Sequence, residues 1–456
     1  MKKLFIFVIS LIMFISIDVF AMDTLFSINK YTEEDINFIE KSYDNEGNSD
    51  GFVVAGKYLN KKHEKGEVDF FDYQVMIVKY NKSGKIKWKL DYGKTCEDVI
   101  YDLDYSYDDD GNINGYLLLM NQTYDVENKN KLDIPLLINI DLEGNLVGET
   151  IPFSDGREYV FNKLESIYSN GKFENYVLSG YKIDNNNKVG LIAKLDNNFS
   201  IIWSSEYKES GYLNSNIYDI VCINKDNECD GYASLVTLED EEYNRITKLI
   251  QFDKSGNYVR IVKEDFEEVD GPKLALSNNG FIIYGLTDEV KLKNNKFTSY
   301  YLVNYDSNFN SVWETVGDSF SKDTKYLVLY PVKSKMVNNY LLMYKNSSDS
   351  SIEIVKINNE GILEEKVKKI NNEYYDINNF ISRKDVLYFV GNIKCPEYDN
   401  CGYVTNSLFL ISTEDKVIEV KADDNENILL VSGIIVILLV LLIVLRKIND
   451  NKKDNK

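Results

Sequence analysis

The chain has 456 residues, a formal net charge of −21, five cysteines and a single histidine. The acidic excess repels nucleic-acid phosphates and anionic lipid headgroups, which sets both aside as partners of the body. The length would hold two or three ordinary domains, and no His-Glu-x-x-His, Cys-x-x-Cys, phosphate-loop or dinucleotide glycine motif occurs in it.

In chain order, Lys2 and Lys3 precede an apolar stretch from Leu4 to Ile17, and Val19-Phe20-Ala21 offers small residues at the positions of a cleavage site. Residues 1–21 therefore read as a secretory signal. The body, 22–422, repeats two phrases. One is a Gly/Asn-aromatic-apolar run: Gly51-Phe52-Val53-Val54-Ala55-Gly56, Gly115-Tyr116-Leu117, Asn175-Tyr176-Val177, Gly231-Tyr232, Gly280-Phe281-Ile282, Asn339-Tyr340-Leu341 and, weakly, Val386-Leu387-Tyr388. The other is a Lys/Asn/Gln-apolar-Asx phrase with a turn: Lys79-Tyr80-Asn81, Asn139-Ile140-Asp141, Lys194-Leu195-Asp196, Gln251-Phe252-Asp253, Asn304-Tyr305-Asp306 and Lys356-Ile357-Asn358. All three tryptophans, Trp88, Trp203 and Trp313, lie seven positions after the Asx of such a phrase.

Repeats of this length imply stacked units, each too small to bury its own apolar face. The first unit reads as four strands: 37–42, 52–58, 73–80 and 85–90, here a to d. Strand c is apolar at consecutive positions (Val75, Met76, Ile77, Val78), as in a strand covered on both faces. Strand d alternates Lys85, Lys87 and Lys89 with Ile86, Trp88 and Leu90, as in an outer strand with one solvated face. The gradient points to an all-β, seven-bladed β-propeller, with the tryptophans as wedges between blades. Asx-x-x-Gly suits the c–d turn because Gly takes a positive φ. In the third and fifth units, which lack that Gly, Asn198 and Asn308 are expected to take the conformation. The ring closes either with residues 24–31 or with 416–420 as the last strand d; pairing the two chain ends leaves no open edge, which favours 24–31.

At the c–d turn, Val78-Lys79-Tyr80-Asn81 with Gly84, Trp88, Tyr92 and Gly93 resembles the repeats of bacterial secreted β-propellers. More distantly it is similar to quinone-cofactor-type propellers, which share a Gly-x-x-Trp turn. The resemblance implies a fold; it assigns no cofactor residues, and fold does not fix function.

Past the body, Asp423 to Asn427 form a short linker, 428–445 is apolar except for Ser432 and Gly433, and Arg446, Lys447, Lys452, Lys453 and Lys456 follow. This reads as one membrane-spanning helix with a cytoplasmic basic tail, 446–456, and the body outside the cytoplasmic membrane.

Outside the cell, Cys222–Cys229 and Cys395–Cys401 are disulfide candidates that would staple hairpins, leaving Cys96 free and partly buried. His63 falls in a polar b–c loop, where no nucleophile is held beside it. No catalytic or cofactor-binding residue is nominated. Glu264-Asp265-Phe266-Glu267-Glu268-Val269-Asp270 could face the central channel and hold a Ca²⁺, and a solvated loop is the favoured reading. At Asp108–Asn112 the repeated turn chemistry of Asp44–Asn48 explains the residues better than a metal does. Tyr207, Tyr212, Tyr374 and Tyr375 are the ligand-face candidates. The favoured role is non-catalytic binding or scaffolding of a protein or glycan at the membrane or cell wall, through the b–c and d–a connections (59–72, 123–133 and 288–296 among them). A surface glycoside hydrolase, with two facing acids, and an envelope-assembly or sensor subunit are the alternatives.

Overall fold

In the computed structural model, the structure describes residues 25–27 and 34–412, apart from the short connections 66–67, 83, 94–95, 126–129, 267–268, 293–294, 317–326, 334–336, 346–350, 371–374, 384–385 and 394–404. The signal segment 1–21, the linker, the apolar stretch 428–445, the basic tail, the alternative closing strand 416–420, Tyr374, Cys395 and Cys401 lie outside the described residues. Among the described residues no helix is long and apolar enough to cross a membrane.

The fold is an all-β β-propeller. Six four-stranded antiparallel sheets follow one another along the chain, spanning 34–92, 96–150, 159–207, 214–263, 269–316 and 327–370. The expectation of seven like repeats is corrected at the end of the chain. There the sequence supplies only Tyr375–Arg383, Val386–Ile393 and Thr405–Ser412, and the fourth strand of that sheet is Leu25–Ser27, with Leu25 opposite Phe409 and Ser27 opposite Ser407. This composite sheet packs against both its neighbours. Ile381, Tyr388 and Val390 share a core with Ile36, Phe52 and Val78 of the first sheet. Phe380 and Phe389 share one with Met343 and Ile354 of the sixth.

The cores lie between sheets, which explains the burial gradient. Val75 to Val78 are all at most 1% exposed, because each face of strand c meets a neighbouring sheet. The outer strands Ile86–Tyr92 and Ile201–Tyr207 share an alternating burial pattern, with one side in solvent. The inner strands of successive sheets neighbour one another around the ring.

One five-residue turn recurs throughout. Its Asx carboxylate or amide accepts the backbone N–H groups two and four residues on, and the residue three on has a positive φ. At Asp44, Oδ1 accepts from Glu46 and Asn48 (3.0 and 2.8 Å), with Gly47 at φ 76°. At Asp108, Oδ1 accepts from Asp110 and Asn112 (3.0 and 2.8 Å), with Gly111 at φ 81°. The N–H of Asn48 and of Asn112 holds the respective carboxyl below its usual range. In the third and fifth sheets the positive φ falls on Phe199 (65°) and Phe309 (67°), not on Asn198 or Asn308. The turn fixes the left-handed position at its fourth residue, and each ring is held in an inter-sheet core, which offsets the strain.

Candidate functional site

The tryptophans sit at one register position: Trp88 opposite Lys79, Trp203 opposite Lys194, Trp313 opposite Asn304. Each indole lies on the turn glycine of the next sheet, where an added Cβ would come within 2.5 Å of Trp88 at Gly144, 2.3 Å of Trp203 at Gly256 and 2.6 Å of Trp313 at Gly361. Trp88 Nε1 donates to the Leu142 carbonyl at 2.9 Å, and Trp313 Nε1 to that of Asn359 at 2.7 Å. At the same register the second and fourth sheets carry Gly148 and Arg260. There the following turns supply the ring instead: Phe199 fills the core between the second and third sheets, and Arg260 lies over Phe309 at 5.4 Å.

The tyrosines named from sequence separate. Tyr207 is buried between the third and fourth sheets, 5.6 Å from the Tyr258 ring, with its hydroxyl donating to Glu209 at 2.7 Å. It is a packing residue. Tyr212 is half-buried under the Lys248 ammonium, 5.7 Å from its ring centroid. Tyr375 opens its strand opposite Ile393, and its side chain lies outside the described residues. Cys222 and Cys229 form a disulfide that closes the inner hairpin of the fourth sheet. Cys96 starts an inner strand opposite Asp125.

Three expected b–c loops are largely paired ribbons. His63 is in a ladder opposite Phe70, and pairing continues to Lys65 opposite Val68. In the fifth sheet it continues to Leu292 opposite Asn295. In the second, pairing reaches Asp125 opposite Asn130. Glu264, at the head of the acidic run, is tied to the fourth sheet, with the Lys248 ammonium bridging Glu264 at 2.8 Å and Glu209 at 2.6 Å. Among the described residues no group of three or more His, Cys, Asp or Glu is arranged to hold a metal.

Composition alone did not nominate the ionisable groups of the inner strands. Asp102 and Asp219 each follow a bulge. Asp102 Oδ1 accepts from Leu103 N (3.0 Å), and Oδ2 from Leu164 N of the next inner strand (3.0 Å), beside the Lys163 ammonium at 2.9 Å. Asp219 does the same with Ile220 N (3.0 Å) and Leu274 N (2.7 Å). These carboxylates stitch neighbouring inner strands together. Burial opposes the charge of Lys163, but the Asp102, Glu165 and Asp219 carboxylates together outweigh it and hold the ammonium well above its ordinary range. Asp104 accepts from the Ser166 hydroxyl at 2.7 Å, and Glu40 from the Tyr105 hydroxyl at 3.1 Å. Burial, then the Asp104 charge, pushes Glu40 up to about 7; burial pushes Asp104 up to about 6. A repeat-position comparison of inner strands would have flagged Asp102, Lys163 and Asp219 as polar at bulges.

No protein-family model matches the sequence. No curated protein matches it. Among solved structures, the chain is similar to the β-propeller domain of the trilobed protease from Pyrococcus furiosus (12% identity, TM-score 0.44, covering 85% of this chain and 98% of that one). It is also similar to the GH93 α-L-arabinofuranosidase of Fusarium graminearum (12%, 0.41, 69% and 94%) and to an apocarotenoid oxygenase variant from Synechocystis (10%, 0.49, 86% and 93%).

Proposed function

We propose that the chain is a membrane-anchored, extracellular β-propeller, closed as a ring of seven sheets, that binds or organises a protein or glycan partner without catalysis. The observation that carries this reading is the asymmetry of the two faces. Strand pairs run on as ribbons at the b–c end, to Lys65 opposite Val68 and to Leu292 opposite Asn295. The described chain leaves from the opposite end: Ser412 closes strand c of the composite sheet beside its a–b turn, and Leu25 enters there. With 1–21 read as a signal and 428–445 as an anchor, the ribbon face points away from the bilayer. Rigid scaffolds with varied projections are where recognition is commonly built. The test is a crosslinking pull-down from whole cells with the intact chain and with the ribbons at 59–72 and 288–296 cut back to two-residue turns. Loss of the captured partner is expected; undiminished capture counts against the reading.

Glycoside hydrolysis is the second reading, favoured by Glu40 and Asp104. Burial raises both, Glu40 to about 7 and Asp104 to about 6, beside an Asp102 carboxylate engaged by Lys163. One protonated and one ionised carboxyl is the pairing that such chemistry uses. Turnover on a polysaccharide panel, abolished by Glu40→Gln or Asp104→Asn, would establish it.

A further inference from the structure

Lys79 and Lys194 are counterparts, since each stands opposite the tryptophan of its sheet. The ammonium of Lys79 is fully engaged: it donates to the Tyr43 carbonyl at 2.7 Å and the Leu142 carbonyl at 3.3 Å, pairs with Asp50 at 3.1 Å, and its side chain is 4% exposed. Lys194 occupies the same place between the third and fourth sheets and is 14% exposed. Among the described residues its ammonium has one partner, Glu174 at 3.8 Å. Glu174 is itself the counterpart of Asp50.

The local turn explains the difference. The inner hairpin of the first sheet runs through the five-residue turn Asp44–Asn48, which brings the Tyr43 carbonyl over Lys79. The third sheet turns in two residues, Asn170 and Gly171, with Ser169 paired to Lys172; Asn170 bonds instead to Asn227 O at 2.8 Å and to Glu228 at 3.3 Å, and among the described residues no carbonyl accepts from the Lys194 ammonium. A second bond is missing at the same interface. Tyr176 donates its hydroxyl to the Tyr105 carbonyl of the preceding sheet at 3.1 Å. Its counterpart, Tyr232, makes no such bond among the described residues; both tyrosines pair with the residue just before the c–d turn Asx.

What remains is a polar cavity of about 120 Å³ lined by Ser169, Glu174, Lys194, Glu228, Tyr232 and Lys254. Glu228 opens the strand after the two-residue turn Asp226-Asn227 of the hairpin that the Cys222–Cys229 disulfide closes, and its carboxylate accepts from the Asn170 amide at 3.3 Å, so that wall is held in place. Donors (the Lys194 and Lys254 ammonium groups, the Tyr232 and Ser169 hydroxyls) and acceptors (Glu174, Glu228) converge on one small space. One water needs about 10–15 Å³ of such space, so the cavity has room for a compact ligand of a few heavy atoms.

We propose that this cavity binds a small α-amino acid of glycine or alanine size. Its carboxylate lies between the Lys194 ammonium and the Tyr232 hydroxyl, and its ammonium lies toward Glu174 and Glu228. Charge-assisted bonds at both ends distinguish such a zwitterion from a simple anion or cation. The cavity is at the a–b and c–d turn end, opposite the ribbons, so the inference is independent of the partner-face reading.

The test is thermal shift and calorimetry on the full chain with glycine, alanine, acetate and methylammonium as probes. Glycine or alanine is expected to raise Tm in a saturable way, with acetate and methylammonium at least tenfold weaker. Lys194→Met and Glu228→Gln should each weaken binding about tenfold or more. Glu228 is an exposed residue at the start of its strand, so its variant keeps the result interpretable if Lys194→Met folds poorly. No shift with glycine or alanine, acetate binding as tightly as glycine, or unchanged affinity in Glu228→Gln would each overturn the proposal.

Discussion

Glu40 shows what a single carboxyl can do when the ring closes around it. Its ordinary range, 4.5, is raised to about 7 by burial and by Asp104, with the Tyr105 hydroxyl and Lys163 working the other way. A carboxyl whose pKa is raised on folding stabilises the native state most when both states are protonated, below about 4.5. That stability is lost as pH rises through the folded value, about 7. Asp104 acts in the same direction over a lower window, from 3.8 to about 6. Denaturant melts of the wild-type chain should therefore lose about 1–2 kcal/mol between pH 4.5 and 7, the full linkage value being reduced because water reaches the half-buried side chain. Glu40→Gln should flatten the upper part of that profile and leave the Asp104 slope. A wild-type stability that rises through this window would contradict the geometry. None of this was legible in the sequence. With 73 acidic residues, only the packing of three inner strands separates Glu40, Asp102 and Asp104 from the solvated remainder.

At the scale of the strand and its turn, the sheets interlock by exchange of bulk. Where the outer strand carries Trp88, Trp203 or Trp313, the next turn has Gly144, Gly256 or Gly361. Where the strand has Gly148, the next turn has Phe199. The tryptophan phrase and the plain glycine phrase were both visible in the sequence, as was the alternation of strand d. Their partnership was not visible, because it joins residues about fifty positions apart across a sheet boundary. Gly256→Ala places a Cβ against Trp203 at a φ of 80° and should destabilise by about 2–3 kcal/mol, read as a fall in the urea midpoint. The exchange also predicts a rescue. Phe199→Gly removes a buried ring and should destabilise by about 3 kcal/mol. Adding Gly148→Trp should recover a large part of that loss, as measured in a double-mutant cycle; additive losses would show that the two positions do not share a space. The misplacement of the left-handed residue onto Asn198 and Asn308 has the same origin. Propensity favours Asn, but the turn geometry fixes the fourth position, and burial of the Phe ring decides.

For the whole molecule, the decisive contact is between the ends. Leu25–Ser27 pairs with Thr405–Ser412, so the first described strand completes the last sheet. A ring joined this way does not fray from a terminus, since its cores between the sixth, composite and first sheets depend on that sheet remaining whole. Removal of residues 22–30 should therefore lower Tm by several degrees and broaden the melt, and a peptide of that segment added in trans should partly restore it. An unchanged melt would mean that the strand contributes nothing to closure. The sequence by itself determined the class of fold and the doubly covered b and c strands, though not the number of like units, which it put at seven. Those properties are local: repeat spacing, alternation, and turn residues with particular φ values. Tertiary structure alone decided which end completes the last sheet, how far the b–c ribbons pair, that Tyr207 is packing, and which charges hold protons. Each of these depends on surfaces from distant parts of the chain meeting, so that burial, hydrogen bonding and charge act on a residue through neighbours that its own segment does not contain.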